Sequence, residues 1–289
     1  MKLLERSKKV KEMHRVSPVD IEPRLFYRLL SGIIGPRPIA LVSSSNLNGE
    51  INLAPFSFFN VMSIQPPILV FSPLTRLRNN TKKDTLINVH QHKEVVINIL
   101  GYEHVEQVSI AGNDYKSDVN EFVKSGFSEV PSDIVVPPRV KEALASFECK
   151  VLSVIALGDK GGAGNLVVCE VLTAHFQEGL INKEYQVKVE DLQLIGRLGQ
   201  DYYTKVNNDS LFMVEKSSRK IGVGWDKLPK EISESDYLTG NEIAKLSNIT
   251  SLPEKVLLCK PSNDPKVYKN VRKLIKKNLI LEAWEMLYC

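Results

Sequence analysis

Between Pro38 and Leu100 short apolar runs alternate with polar punctuation: PIALVSS, INLAPFSFF, PILVFSP and EVVINIL, separated by NLNGE and QPP. Runs rich in β-branched and aromatic residues and bounded by turn residues predict strands, and Asn48-Gly49 predicts a tight hairpin. FECKVLSVIALG and NLVVCEVLTAHFQ repeat the pattern across DKGGAGN, whose glycines suit a hairpin connection. KDTLINVHQHK and VEQVSIAGNDYKSDVNEFVKSG instead space Leu86 and Val89, then Val105 and Val108, three apart, which predicts helices. Strands without regular βαβ alternation predict a mainly β fold, a barrel or sandwich with covering helices, and argue against a doubly wound sheet. After Tyr203 the pattern turns helical, in TGNEIAKLSNI and DPKVYKNVRKLIKKNLILEAWEMLY, so a boundary is expected near residue 205 with a helical C-terminal extension over 205–289. There Val267, Val271, Leu274 and Leu281 form an amphipathic stripe that Asn278 weakens.

Composition narrows the class. With 289 residues, 43% hydrophobic and 25% charged, the chain is an ordinary globular one. A net charge of +4 is too small to imply a nucleic-acid or membrane partner without a local basic cluster. Such clusters are read only at the ends, in Lys2–Lys11 and Lys269–Lys277, as solvated helix faces. Cys149, Cys169, Cys259 and Cys289 form no CxxC pair, so no zinc site or disulfide framework is expected and the thiols read as reduced. No apolar run approaches the roughly 20 residues of a membrane span, and the charged start lacks a signal core; the expectation is a cytoplasmic protein. His90 and His92, two apart on a helix, point to opposite sides and cannot share a metal, and no metal site is expected. No Walker A, GxSxG, HExxH or strand-following GxGxxG motif occurs, and no nucleophile or catalytic pair can be assigned.

The stretch Asn52–Asn60, NLAPFSFFN, sets three phenylalanines among Asn, Pro and Ser. A buried interior strand would not hold Pro55, which has no N–H for the ladder. Adjacent strand ends carrying Ser43, Ser44, Ser45, Asn52 and Ser57 would form a groove of amides and hydroxyls beside aromatic surface, suited to a planar heteroaromatic ring with a polar or phosphorylated tail. Lys82–Thr85, KKDT, opens a predicted helix, where a free N-terminus, a hydroxyl and an ammonium group can hold phosphate. The residues alone leave the plainer alternative open: solvated strand ends, and Asp84 or Thr85 as an N-cap.

GPRPIALVSS, NLAPFSFFN, QPPILVFSP, KDTLINV and EVVINIL, followed by PPRVKEALASFECKV, NLVVCEV with AHF, and IGRLGQDYY, resemble in order and spacing the flavin reductase-like family of FMN-binding split-barrel proteins. The resemblance covers residues 18–204 and implies a Greek-key split barrel that dimerises and holds one FMN per subunit at or near the dimer interface. It implies that Ser43, Ser44, Ser45, Lys83 and Thr85 hold the ribityl phosphate. Asn52 and the backbone of Ala54, Pro55, Phe56 and Ser57 would face the isoalloxazine, and Arg37 would either add charge to the phosphate site or form a surface ion pair. Reductases of this family often carry Gly-Asp-His where this chain has Gly162-Ala163-Gly164, so hydride transfer from NADH or NADPH is less directly implied than FMN binding. His175 could approach the flavin or be a core or surface residue; Arg197, Tyr202 and Tyr203 could close over the site or pack the junction with the extension. The expected function is NAD(P)H-dependent electron transfer through bound FMN in a homodimer. The alternatives are an FMN electron carrier or sensor, or an interaction module built on the barrel.

Overall fold

The computed structural model describes residues 12–214 and 221–288; the basic stretch Lys2–Lys11 lies outside them. The chain divides into a unit over Val16–Phe212 and a second that takes the remaining residues. The first opens with α1 (Pro23–Ile33), whose proline sits where a helix needs no N–H. β1 (Arg37–Pro38), β2 (Ala40–Ser45), β3 (Ile51–Phe56), β4 (Phe59–Ser63) and β5 (Ile68–Phe71) follow, then α2 (Asp84–Gln91), β6 (Glu94–Ile99), α3 (Val105–Ala111) and α4 (Glu121–Ser125). β7 (Glu129–Val130), β8 (Arg139–Val140), β9 (Ala145–Ala156), β10 (Asn165–Phe176), β11 (Ile195–Arg197) and β12 (Tyr203–Lys205) complete it. β11 pairs with β1 on one side and β12 on the other, and the unit runs on to Phe212, a few residues past the boundary expected near 205.

The main sheet is antiparallel in the order β3-β2-β6-β9-β10-β5-β4. Its two edge strands, β3 and β4, are separated in sequence only by Ser57 and Phe58. A two-residue bend can join the first and last strands of a seven-stranded order only if the sheet curls until its edges meet. The result is a barrel split between β3 and β4, and NLAPFSFFN straddles the split. The expected mainly β architecture is therefore present, with Asn48-Gly49 turning β2 into β3 through Gly49 at φ +82°. The Pro-Pro pair lies in the turn from β4 to β5.

Inside the barrel Val42, Phe71, Val95, Ile97, Cys149, Val151, Val167 and Cys169 form one core. On the other face of β2 and β3, Leu41 and Leu53 pack with Val108, Phe122 and Phe127 from the α3 and α4 region. Strands covered on both faces lose the apolar-polar alternation, and β2 is buried at every position, serines included. Burial pushes the Cys149 thiol up to about 12 and that of Cys169 well above its ordinary value, so both remain protonated core residues. The segment 105–125, expected to be helical, is two short helices, because Gly112 and the polar loop after it end α3.

The second unit contains α5 (Lys230–Ser233), α6 (Gly240–Ser247), α7 (Lys255–Leu258), α8 (Pro265–Lys276) and α9 (Ile280–Leu287) around Ile232, Ile243, Leu246, Val271, Ile275 and Trp284. Thr239 and Glu242 form a capping box at α6, and Asp264 caps α8 ahead of Pro265. Asn278 does not lie on a helical stripe: at φ +60° it takes the left-handed conformation that ends α8. Leu281, beyond that turn, is exposed, whereas Val271 is buried.

Candidate functional site

α2 rests on the β2–β3 hairpin through two matched hydrogen bonds. Ser44 and Asn52 are cross-strand partners. The Asn52 amide donates to Thr85 Oγ1 at 2.9 Å, and Asn88 donates to Ser44 Oγ at 3.0 Å. Thr85 and Asn88 are three apart and share one face of α2. The helix start is thereby fixed beside β3.

β3 is the exposed edge of the sheet, and the sequence deals with it by covering it. The Leu53 N–H points away from β2 and donates to Glu121 Oε2 of α4 at 2.9 Å. Pro55, two residues on, has its nitrogen on that same outer edge, where no ladder bond is lost. Gly112 closes over the proline ring: a Cβ there would lie 3.1 Å from Pro55 Cγ.

Between these parts lies a cavity of about 340 Å³. Asn52, Ala54 and Pro55 supply its β3 wall, Lys83, Asp84 and Thr85 the start of α2, and Arg76, Leu77 and Arg78 the loop after β5. Gly112 to Tyr115 and Glu121 close the remaining side. No side chain caps the first turn of α2, whose N-cap is Lys83; the Leu86 N–H donates to the Lys83 carbonyl, and the Asp84 and Thr85 amides are left available to an anion. Arg76 is held by Asp114 at 2.8 Å and Asp84 at 3.4 Å, and Arg78 by Asp114 at 3.2 Å. Lys83 Nζ sits 5.6 Å over the Phe56 ring. Burial, then the neighbouring Arg76 charge, lowers the pKa of Lys83 against the opposing pull of Asp114 and Asp84. Burial raises that of Glu121 against the opposing Leu53 hydrogen bond.

The residues singled out from the sequence thus separate into three groups. Asn52, Ala54, Pro55, Lys83 and Thr85 meet at this cavity. Arg37 and Ser57 line a second cavity, of about 600 Å³, and Phe56 is a buried core residue against Phe71, their ring centroids 5.2 Å apart. Ser43, Ser44 and Ser45 reach neither: all three are fully buried, with Ser43 bonded to the Pro138 carbonyl and Ser44 to Asn88. The surface ion pair considered for Arg37 is also corrected, since its guanidinium is buried and donates to backbone carbonyls. Arg76, Arg78, Asp114 and Glu121 were not anticipated. One signal was available: residues 76–83 carry four cations and no carboxylate, a basic cluster away from the chain ends.

Gly164 pairs with Leu74, and a Cβ there would lie 2.9 Å from Ser72 Oγ and 3.2 Å from Leu157 Cδ1, so a larger residue would displace these side-chain ends. His175 is in neither cavity; its Nε2 lies 2.7 Å from Glu148 Oε1. Arg197 lines the second cavity, stacked 4.5 Å over Tyr203. Asp133, Glu148 and His175 could together face a metal ion, but both Glu148 oxygens already accept hydrogen bonds, from the amides of Asp133, Ile134 and Val135 and from His175. Among the described residues no helix is long and apolar enough to cross a membrane.

The family model for the flavin reductase like domain matches residues 35–189, which span the whole barrel and both walls of the first cavity. The chain belongs to the flavin reductase-like family. A protein of Aquifex aeolicus, described only as uncharacterized, is 39% identical over 179 residues, 62% of this chain and 89% of its own length. Among solved structures, nitrilotriacetate monooxygenase component B from Bacillus cereus is 28% identical at a TM-score of 0.66, with 71% of this chain and 100% of that one covered. The 2-nitrobenzoate 2-nitroreductase of Pseudomonas fluorescens is 30% identical at 0.62, covering 71% and 98%. The flavin reductase-like match ends at residue 189, before the stretch from Met213 that carries the helices of the second unit.

Proposed function

We propose that the chain is an FMN-dependent oxidoreductase that draws electrons from NADH or NADPH and works as a homodimer. The observation that carries this reading is the first cavity, where an uncapped helix start and three cations adjoin an apolar β3 wall. Its volume of about 340 Å³ lies within the range of small-molecule sites. The α2 amides with Lys83 and Thr85 would hold the phosphate, and Arg76 and Arg78, tethered by Asp84 and Asp114, would complete the charge balance. Asn52 would present its carbonyl oxygen to the ring's polar edge, its amide being engaged by Thr85, while Ala54 and Pro55 pack on the ring. When bound, FMN supplies hydride acceptance and electron release, so no protein acid or base is required.

The relatives' names, a monooxygenase component and a nitroreductase, support redox chemistry on a flavin. Exposed apolar side chains toward one end of the sheet, Val61 and Met62 on β4, Leu152 and Ile155 on β9 and Leu172 on β10, support a second copy as the cover. A cytoplasmic location belongs to the same proposal. A second reading, an FMN electron carrier that takes no hydride from nicotinamide, is favoured by Gly164, which stands where reductases of the family often carry histidine and brings no titratable group there. Anaerobic titration of the FMN-loaded protein decides between them. Bleaching of the flavin band by NADH or NADPH is expected; a band unchanged by both leaves the carrier, and failure to bind FMN at all overturns the proposal.

A further inference from the structure

The larger cavity is an arginine-lined one. Arg24, Tyr27, Arg28 and Ser31 recur along α1 at helical spacing, share one face, and all line it. Arg37 and Arg197 stand among the opposite walls, which makes four guanidinium groups against one lining carboxylate, Asp201. Asp201 is fully exposed and already paired with Arg197 at 3.3 Å.

Arg37 shows the imbalance most directly. It is 8% exposed, and its Nη atoms donate to the carbonyls of Ser31 at 2.7 Å, Ile34 at 2.9 Å and Leu198 at 3.0 Å. Its buried Nε has no hydrogen-bond partner, and among the described residues no carboxylate pairs with it. Carbonyl dipoles lessen the cost of a buried cation without neutralising it, and a counter-ion would.

The position matters as much as the charge. Pro55 lines the first cavity and Ser57 the second, with the buried Phe56 between them. Two residues of extended chain span about 7 Å, so a group held at the second cavity lies within molecular reach of a ring in the first. α1 is seated at this bend by Tyr27, whose ring meets Phe58 edge-on at 6.2 Å.

We infer that the Arg24–Arg28–Arg37–Arg197 cavity is an anion site that holds the phosphate or carboxylate group of the second reactant beside the flavin. The anion site stands on its own geometry; its role toward a second reactant rests on the flavin reading above.

The test is calorimetric titration of the full chain with inorganic pyrophosphate and, separately, benzoate, with and without saturating FMN. At least one anion is expected to bind whether or not FMN is present. Its affinity should fall by roughly tenfold or more in the Arg24→Gln/Arg28→Gln double variant, which leaves the buried Arg37 in place, and should weaken in about 0.3 M salt. Pyrophosphate alone binding identifies a phosphate-bearing reactant, and benzoate alone a carboxylate. Lys83→Ala should lose FMN affinity and keep the anion. Anion binding without FMN binding would overturn the flavin reading and leave the anion site standing. The anion site is overturned if neither probe binds at millimolar concentration, if the double variant binds as tightly as the parent, or if FMN displaces the probe.

Discussion

The carboxylate of Glu148 has no solvent exposure and gathers the loop between β7 and β8. It takes N–H bonds from Asp133 at 2.8 Å, Ile134 at 2.7 Å and Val135 at 3.2 Å, with His175 at 2.7 Å, while Glu94 accepts from the next amide, Val136, at 2.9 Å. Successive amides converging on two carboxylates form an anion nest made within the chain. Burial alone would raise the pKa of Glu148, but these bonds outweigh it and hold the carboxyl below its ordinary value of 4.5. A folded pKa below the unfolded one stabilises the protein above the unfolded value, and that contribution is lost as pH falls through the folded one. Glu148→Gln, which turns an amide N–H toward amide donors, is expected to cost about 2–3 kcal/mol at pH 7, measured by urea unfolding. The gap between parent and variant should shrink progressively below about pH 4. An equal gap at pH 7 and at pH 3 would exclude the carboxylate charge as its source.

At the level of elements, α2 forms one wall of the first cavity, and its seat is the Ser44–Asn52 pair. Asn88→Ala would leave the buried Ser44 hydroxyl without its donor, at a cost of about 1–2 kcal/mol. Because Lys83 and Thr85 ride on the same helix, FMN affinity should fall several-fold as well, read by fluorescence quenching of the flavin. A loss of stability with unaltered FMN affinity would separate α2 from the site. The strands that build this seat were legible in the sequence because turn residues bound each apolar run, and the start of α2 because KKDT precedes a three-spaced apolar pattern. The direction of each serine was not legible: in a strand covered on both faces, hydroxyls carry no exposed-face signal, so Ser43, Ser44 and Ser45 read as ligand contacts although the fold uses Ser43 and Ser44 as internal acceptors or donors. Arg76 and Asp114 are 38 positions apart and meet only because α3 folds over β3, a contact that no local pattern encodes. α1 escaped notice for a related reason: its polar face lines a cavity and its apolar residues Leu25, Leu29 and Leu30 are exposed, the reverse of a helix packed on a core.

For the whole molecule, the decisive feature is that each unit encloses its own core. The barrel clusters draw only on residues between Ile39 and Val171, and the helical cluster only on residues from Val223 onward. The helical unit has its own devices as well: Trp284 Nε1 donates to the Leu246 carbonyl at 3.1 Å, and Arg272 pairs with Glu242 at 2.8 Å. Every lining residue of both cavities falls within Val16–Phe212. A chain ending at Phe212 is therefore expected to fold and to bind FMN within about threefold of the full-length affinity, since no group that would touch the cofactor has been removed. Denaturation of the parent should show two transitions if the cores melt independently, and the shortened chain should retain only the barrel transition. Loss of FMN binding in a truncated protein that still unfolds cooperatively would assign the helical unit a direct part in the site. Retained binding, together with bleaching of the flavin band by nicotinamide, would confine the redox chemistry to the barrel and leave the extension to be explained by what it contacts.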